Sequence, residues 1–266
     1  MKSITRIAAF VALLGLCVPA AATTTLPLNT GYNYASWNQY PVNFQDNYWI
    51  NIASYSPTSP PPAPAPSFVI PWGGWASPLP GSGWISARNM RNSAPGTSDY
   101  DRAYTIFRKC FCLLPGFKEA RLSFRARADD SLEVWLNTQL NQVLSASYGN
   151  FNPTDPPLNA GTDKGFRVGK NCLYVLVEDR GGAMGFDLAG DVTAVGLLPS
   201  AAAGVGQSFA PCSCQSGHPG PLDAAGPREA LDRRAAQAAE QEEQETVNAL
   251  VKYAEARRLE RQRPRQ

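Results

Sequence analysis

The sequence predicts an all-β fold, a β-sandwich or jelly roll, followed by a C-terminal α-helix. Short segments of alternating apolar and polar residues recur between glycine, proline and asparagine turns. Aromatic residues, glycine and proline crowd the first two thirds of the chain, whereas residues 228–263 contain neither glycine nor proline and are rich in helix formers. We therefore divide the chain into a leader (1–22), a β-sandwich domain (23–198), a Gly/Pro/Cys linker (199–225) and a charged helical tail (226–266).

The leader has the pattern of a secretory signal peptide. Lys2 and Arg6 precede an apolar run at residues 7–18, and small residues suited to cleavage follow. The run is too short to span a bilayer, and no later segment is long and apolar enough to do so. The mature protein is therefore expected to be secreted or periplasmic. Over the full chain, 24 Lys and Arg residues nearly balance 22 Asp and Glu residues, which predicts neither a nucleic-acid partner nor an anionic membrane surface.

Residues 128–137 give the clearest strand. Leu132, Val134 and Leu136 fall on one face, and the residues between them fall on the other. Asp129 and Asp130 are expected to cap the turn that precedes this strand. Further strands are predicted at residues 48–53, 68–72, 100–113, 118–128, 172–178 and 184–195. Residues 57–66 are rich in proline and are predicted to form a polyproline-like loop outside the sheet.

Gly226 and Pro227 mark the predicted start of the helix, as N-cap and first helical residue. The apolar stripe along this helix is thin and is interrupted by acidic residues between 240 and 245. It consists of Leu231, Ala235, Ala238, Val247, Leu250 and Ala254. A coiled coil that joins copies of the chain and a solvated helix both remain open.

Five cysteines follow the leader: Cys110, Cys112, Cys172, Cys212 and Cys214. An oxidising compartment favours disulfides over a thiolate metal site, for which no nearby histidine completes a zinc ligand set. If residues 100–113 and 172–178 pair antiparallel, Cys110 or Cys112 lies beside Cys172, and the other is expected to reach Cys212 or Cys214. The odd number leaves a free thiol or an intermolecular bond.

Taken in order, several short motifs resemble the galactose-binding-domain-like β-sandwich of uncharacterised secreted bacterial proteins. They are LNTG at 28–31, DNYW at 46–49, GWIS at 83–86, ADD at 128–130 with LN at 136–137, GKNCL at 169–173 and GFDL at 185–188. The chain departs from that pattern at Thr138, where a glycine is usual, and at Cys172, where a threonine is common. A charged helix also replaces the usual sorting tail. The resemblance implies the fold and a carbohydrate or surface role.

The only histidine, His218, lies in the linker, so a histidine-based triad or metal site within the domain is excluded. This argues against an enzyme. Acidic residues of the sandwich suggest a structural calcium instead, with Asp129, Asp130 and Asp187 as its expected ligands.

Trp72 and Trp75 are the candidate ligand-binding residues, because exposed aromatic rings stack on sugar faces. Packing across the end of the sandwich is the alternative for both rings. The predicted function is an exported, non-catalytic binding module with carbohydrate as its candidate ligand and with specificity in residues 72–75 and 148–164. The alternative is a structural protein that assembles through its helix.

Overall fold

The structure is a computed structural model that describes residues 22–33, 36, 38–56, 63–71, 73–88, 103–181, 183–197 and 227–261. Within the helix, side chains are described at Ala238 and from Glu240 onward. The predicted leader and the linker cysteines lie outside these ranges.

The predicted all-β fold with a C-terminal helix is confirmed. The strands are β1 (Thr23–Pro27), β2 (Tyr32–Asn33), β3 (Asn38–Gln39), β4 (Gln45–Tyr55), β5 (Ala65–Val69), β6 (Ile85–Ser86), β7 (Tyr104–Asp129), β8 (Ser131–Leu136), β9 (Gln142–Ala146), β10 (Leu158–Thr162), β11 (Gly169–Glu178) and β12 (Gly185–Leu197). Helix α1 follows at Pro227–Arg261. The pairings between these strands are antiparallel.

Strand β7 belongs to both layers of the sandwich. Its first half pairs with β4 and β11, and β11 continues to β8 and β9; we call this layer sheet I. Its second half pairs with β10 and β12, and β12 continues to β1; we call this layer sheet II. The two strands predicted at 100–113 and 118–128 are therefore one strand, which passes through Gly116 and Glu119 at positive φ.

The core lies between the two sheets and has the predicted alternation. Leu132, Val134 and Leu136 of β8 are fully buried in it. Phe186 of β12 packs against Trp49, with ring centroids 5.3 Å apart, and against Phe107 at 4.8 Å. Bringing such large rings out of water is the main stabilising contribution of this face.

The predicted proline loop is wrong at its C-terminal end. Ala65 and Pro66 begin β5 and lie opposite Asn51 and Ile50 of β4. The pairing contains a register shift between Asp46 and Ile50, which accommodates a residue that lacks an N–H donor. Residues 57–62 lie outside the described ranges.

Helix α1 packs on the outer face of sheet I, the face turned away from the core. Leu250 and Ala254 are fully buried there, and Val247 packs beside them. Trp135 of β8, which lies on the polar face of its strand, is covered by this contact. Among the described members of the apolar stripe, Val247, Leu250 and Ala254 pack on the sandwich of the same chain, whereas Ala238 is exposed. No described helix is both long and apolar enough to cross a membrane.

Candidate functional site

A cleft of about 730 Å³ lies on the outer face of sheet II. Three strands form it: β10, the second half of β7, and β12. The period-two alternation of β7 places Arg121, Ser123 and Arg125 on this face, because Leu122 and Phe124 between them point into the core.

The strand register brings polar groups together in rows across the cleft. Ser123 lies between Gly161 of β10 and Asp191 of β12. Arg125 lies between Asn159 and Ala189 in the next row. Small residues such as Gly161 and Ala189 therefore form the bottom of the cleft, and long polar side chains such as Arg125 form its sides.

Gly161 keeps the bottom of the cleft low for a steric reason. A Cβ atom at this position would lie 2.6 Å from the carbonyl oxygen of Leu122, closer than real Cβ contacts come. β10 can therefore approach β7 this closely only with glycine at the middle of the cleft.

The charged groups of the cleft have no partners among the described residues. Among the described residues, the side chains of Arg121 and Arg125 form neither a hydrogen bond nor an ion pair. The same holds for the side chains of Asp163 and Asp191. Burial raises the pKa of Asp191 above its ordinary value. Two guanidinium groups and two carboxylates thus face the cleft with their hydrogen-bonding capacity unused, and their charges balance.

Trp75 lies elsewhere, at the loop end of the sandwich, and it is half-buried. Its ring lies 4.6 Å from the ring of buried Trp84, and its Nε1 donates to Asp129 at 2.8 Å. These contacts favour packing as the role of this ring. Trp72 lies outside the described residues.

Asp129 and Asp130 shape the turn between β7 and β8, as the sequence indicates. Asp130 accepts a hydrogen bond from the backbone N–H of Arg180 at 2.6 Å. Burial raises the pKa of Asp129 to about 8, and the neighbouring carboxylates of Asp130 and Asp179 add to the shift. At neutral pH the Asp129 side chain is therefore largely protonated.

We expect Asp129→Asn to stabilise the protein at pH 8 by about 1–3 kcal/mol relative to wild type. In the unfolded chain this carboxyl ionises near pH 4, whereas in the folded protein it ionises near pH 8. Between these values the folded state binds the extra proton, so this group lowers stability as pH rises. An asparagine can accept from Trp75 and needs no proton.

Urea denaturation of both proteins at pH 5 and pH 8 measures this effect. The difference between variant and wild type should be larger at pH 8. Asp163→Asn, at an exposed carboxylate, is the matched control for the loss of one negative charge. Equal differences at the two pH values would contradict the assignment.

Asp187 belongs to a different arrangement from the other two expected calcium ligands. Its carboxylate is fully buried and accepts hydrogen bonds from Ser82 Oγ at 2.5 Å, the Leu79 N–H at 2.6 Å and Thr30 Oγ1 at 3.3 Å. Burial raises its pKa to about 6. This carboxylate fastens the loop after β5 and the segment after β1 onto β12.

The described residues contain no cluster of three or more His, Cys, Asp or Glu side chains placed to hold a metal ion. Asp129, Asp130 and Asp187 are therefore not brought together as a single ligand set.

The structure contains one of the disulfides that the sequence left open. Cys110 of β7 bonds Cys172 of β11, and the two residues lie directly opposite in the antiparallel ladder. Cys112 is also disulfide-bonded. Cys212 and Cys214 lie outside the described residues.

Only part of the cleft could be predicted from the sequence. Alternation along β7 already placed Arg121 and Arg125 on a polar face, and residues 148–164 were expected to carry specificity. β10 itself was missed, because Leu158–Thr162 has only a weak alternation and contains glycine. Asp191 was missed because nothing local distinguishes it from any exposed strand residue.

Comparisons with known proteins find little. No known protein family matches the chain, and no curated protein does. Among solved structures, the chain is similar to the PA14 domain of the antifreeze protein MpAFP, with 18% identity and a TM-score of 0.23 over 36% of this chain and 44% of that domain. It is also similar to a family 35 carbohydrate-binding module from an environmental isolate, with 15% identity and a TM-score of 0.29 over 56% of this chain and 98% of that module. At TM-scores this low, neither similarity indicates what this chain binds.

Proposed function

We propose that this chain is an exported, non-catalytic binding module that holds a polar oligosaccharide in the cleft of sheet II. The observation that carries the proposal is the set of unpartnered groups facing that cleft: Arg121, Arg125, Asp163 and Asp191. The galactose-binding-like character of the sandwich belongs to the same proposal.

Sugars suit this cleft because of the geometry of its side chains. Guanidinium and carboxylate groups are planar and bidentate, so each can bridge two neighbouring hydroxyl groups. Arg121 and Arg125 are four residues apart on one strand, which separates their backbones by about 13 Å. A disaccharide or longer chain can therefore contact both, and the balanced charges favour a neutral ligand over a strongly anionic one.

We expect Arg125→Ala to weaken oligosaccharide binding about 10-fold or more, because a hydrogen bond to a charged group contributes roughly 1.5–3 kcal/mol. A glycan array followed by calorimetry on the best binder measures this. Lys252→Ala removes an exposed positive charge on α1, away from the cleft, and should bind like wild type. Wild-type protein that binds no glycan at millimolar concentration would contradict the proposal, as would Arg121→Ala and Arg125→Ala variants with unchanged affinity.

Trp72 and Trp75 are a second proposed location for the ligand. Trp72→Ala separates the two locations, because loss of binding in that variant with full binding in Arg125→Ala would place the sugar at the loop end. Trp75→Ala is less informative, since Trp75 also packs on Trp84 and binds Asp129.

Export is part of the proposal. The Cys110–Cys172 disulfide supports an oxidising compartment, either extracellular or periplasmic. Recovery of the mature chain from culture medium or periplasm, with its leader removed, tests this directly.

A further inference from the structure

The outer face of sheet I holds helix α1 through two charged regions at opposite ends of an apolar strip. The strip consists of Ile106, Trp135, Tyr174 and Leu176 under Leu250 and Ala254. The charged regions have opposite signs. We call the whole surface the bipolar face.

The basic region meets the N-terminal part of the docked helix. Glu243 forms ion pairs with Arg108 and Lys170, and Glu242 pairs with Arg167. Burial lowers the pKa of Lys170 to about 8, and the cations Arg108 and Arg167 add to that effect. The acidic interruption in the apolar stripe is thus where the helix crosses a basic part of the sheet.

The acidic region meets the C-terminal part of the helix. Glu133 and Glu178 are almost fully buried, and Arg257 pairs with both of them. Arg261 adds a second partner for Glu178. These carboxylates have been removed from water and depend on cations supplied by the helix.

Aromatic and hydroxyl contacts complete the recognition. Tyr253 OH donates to Glu133 at 2.7 Å, and its ring meets Trp135 edge-on at 5.6 Å. Arg258 stacks over Tyr55 at 4.2 Å from the ring centroid. Together with the two charged regions, these contacts select one helix, in one direction and one register.

A stretch of backbone separates the helix from the sandwich. β12 ends at Leu197 and α1 begins at Pro227, so residues 198–226 lie between them. Fully extended, these 29 residues would span at most about 100 Å, and a disulfide from Cys112 to Cys212 or Cys214 would still leave residues 215–226, or about 40 Å, as a free tether. The helix then runs about 22 Å further from Pro227 before it reaches Glu242, the first described side chain that pairs with the sheet. This length is sufficient to reach the bipolar face of a neighbouring molecule.

We propose that the bipolar face is an exchangeable docking surface, and that its partner in trans is helix α1 of a second copy of this chain. Both the intramolecular and the exchanged states make the same contacts, so they differ mainly in tether entropy. A flexible tether gives an effective concentration of roughly millimolar or less, which falls as the tether lengthens. Exchange therefore competes when chains are crowded to similar concentrations, as on a surface.

The Lys170–Glu243 ion pair gives a direct test on the unmodified chain. Equal amounts of ¹⁴N-labelled and ¹⁵N-labelled protein are mixed and treated with a carbodiimide, which joins this amine and carboxylate as an amide. We expect mixed-isotope Lys170–Glu243 peptides to rise from near zero at about 10 μM toward half of the product at millimolar concentration. Glu243→Gln identifies the peptide by its loss. Same-isotope peptides alone at every concentration would overturn the proposal.

A complementation experiment tests the same proposal independently. Glu178→Arg spoils the bipolar face of one chain, and Arg257→Glu with Arg261→Glu spoils the helix of another. Mixing them pairs an intact helix with an intact face, so sedimentation should show a species of twice the monomer mass that neither variant forms alone. A mixture that remains monomeric, with both variants still folded by circular dichroism, would count against exchange.

Discussion

Replacing Arg257 by alanine is expected to lower the stability of the docked helix by about 2–4 kcal/mol. The Arg257 guanidinium pairs with Glu133 and lies 3.5 Å from a Glu178 carboxylate oxygen. Both carboxylates are buried, and among the described residues Glu133 would keep only Tyr253 and Gln142 as hydrogen-bond partners. An incompletely paired buried charge is more costly than the loss of an exposed ion pair.

The protein can limit this cost by releasing the helix, which returns both carboxylates to water. The effect should therefore appear first as local opening, with faster hydrogen exchange in residues 242–261, and only partly as a change in global unfolding. Lys252→Ala, on the exposed side of the same helix, should leave exchange unchanged within about 0.5 kcal/mol. Arg257→Lys keeps the charge and should recover part of the protection. Unaltered protection in Arg257→Ala would show that the helix is held by its apolar strip alone.

The sandwich could be predicted largely from sequence because several of its strands, β8 among them, alternate between apolar and polar residues. In β8 the positions of Leu132, Val134 and Leu136 allow a single choice of buried face. The same reasoning, with the two strands taken as antiparallel, placed Cys110 or Cys112 beside Cys172, and the structure shows that Cys110 is the partner. Period-two patterns are local, so they can be recognised in the sequence without knowledge of the fold.

Other features depend on contacts between distant segments and could not be read in this way. The docking of α1 was missed because its apolar stripe is thin. The ion pairs of Glu243 with Arg108 and Lys170 join segments that are distant in the sequence, so no local pattern indicates them. The burial of Glu133 was missed for the same reason, since it lies on the polar face of β8 and is covered only by the helix. The cleft depends on the placement of β10 beside β7, which no local pattern specifies.

Removal of the Cys110–Cys172 disulfide is expected to lower the free energy of unfolding by about 2–4 kcal/mol. The bond closes a loop of 62 residues in the unfolded chain, for which the chain-entropy relation gives roughly 4 kcal/mol as an upper value. Within the folded protein the two cysteines are already opposite neighbours in the ladder, so the sheet should keep its register without the bond. The effect should therefore lie mainly in the unfolded state.

Two paired substitutions separate the cross-link from packing. Cys110→Ala with Cys172→Ala removes the bond and some buried volume, whereas Cys110→Val with Cys172→Val removes the bond but fills the space under α1. If the cross-link acts through the unfolded chain, both pairs should lose similar stability in urea. Both should also show a larger m value, because the unfolded state then exposes more surface. Full recovery in the valine pair would instead assign the loss to packing beneath the helix, where Cys172 is buried beside Tyr174 and Leu250.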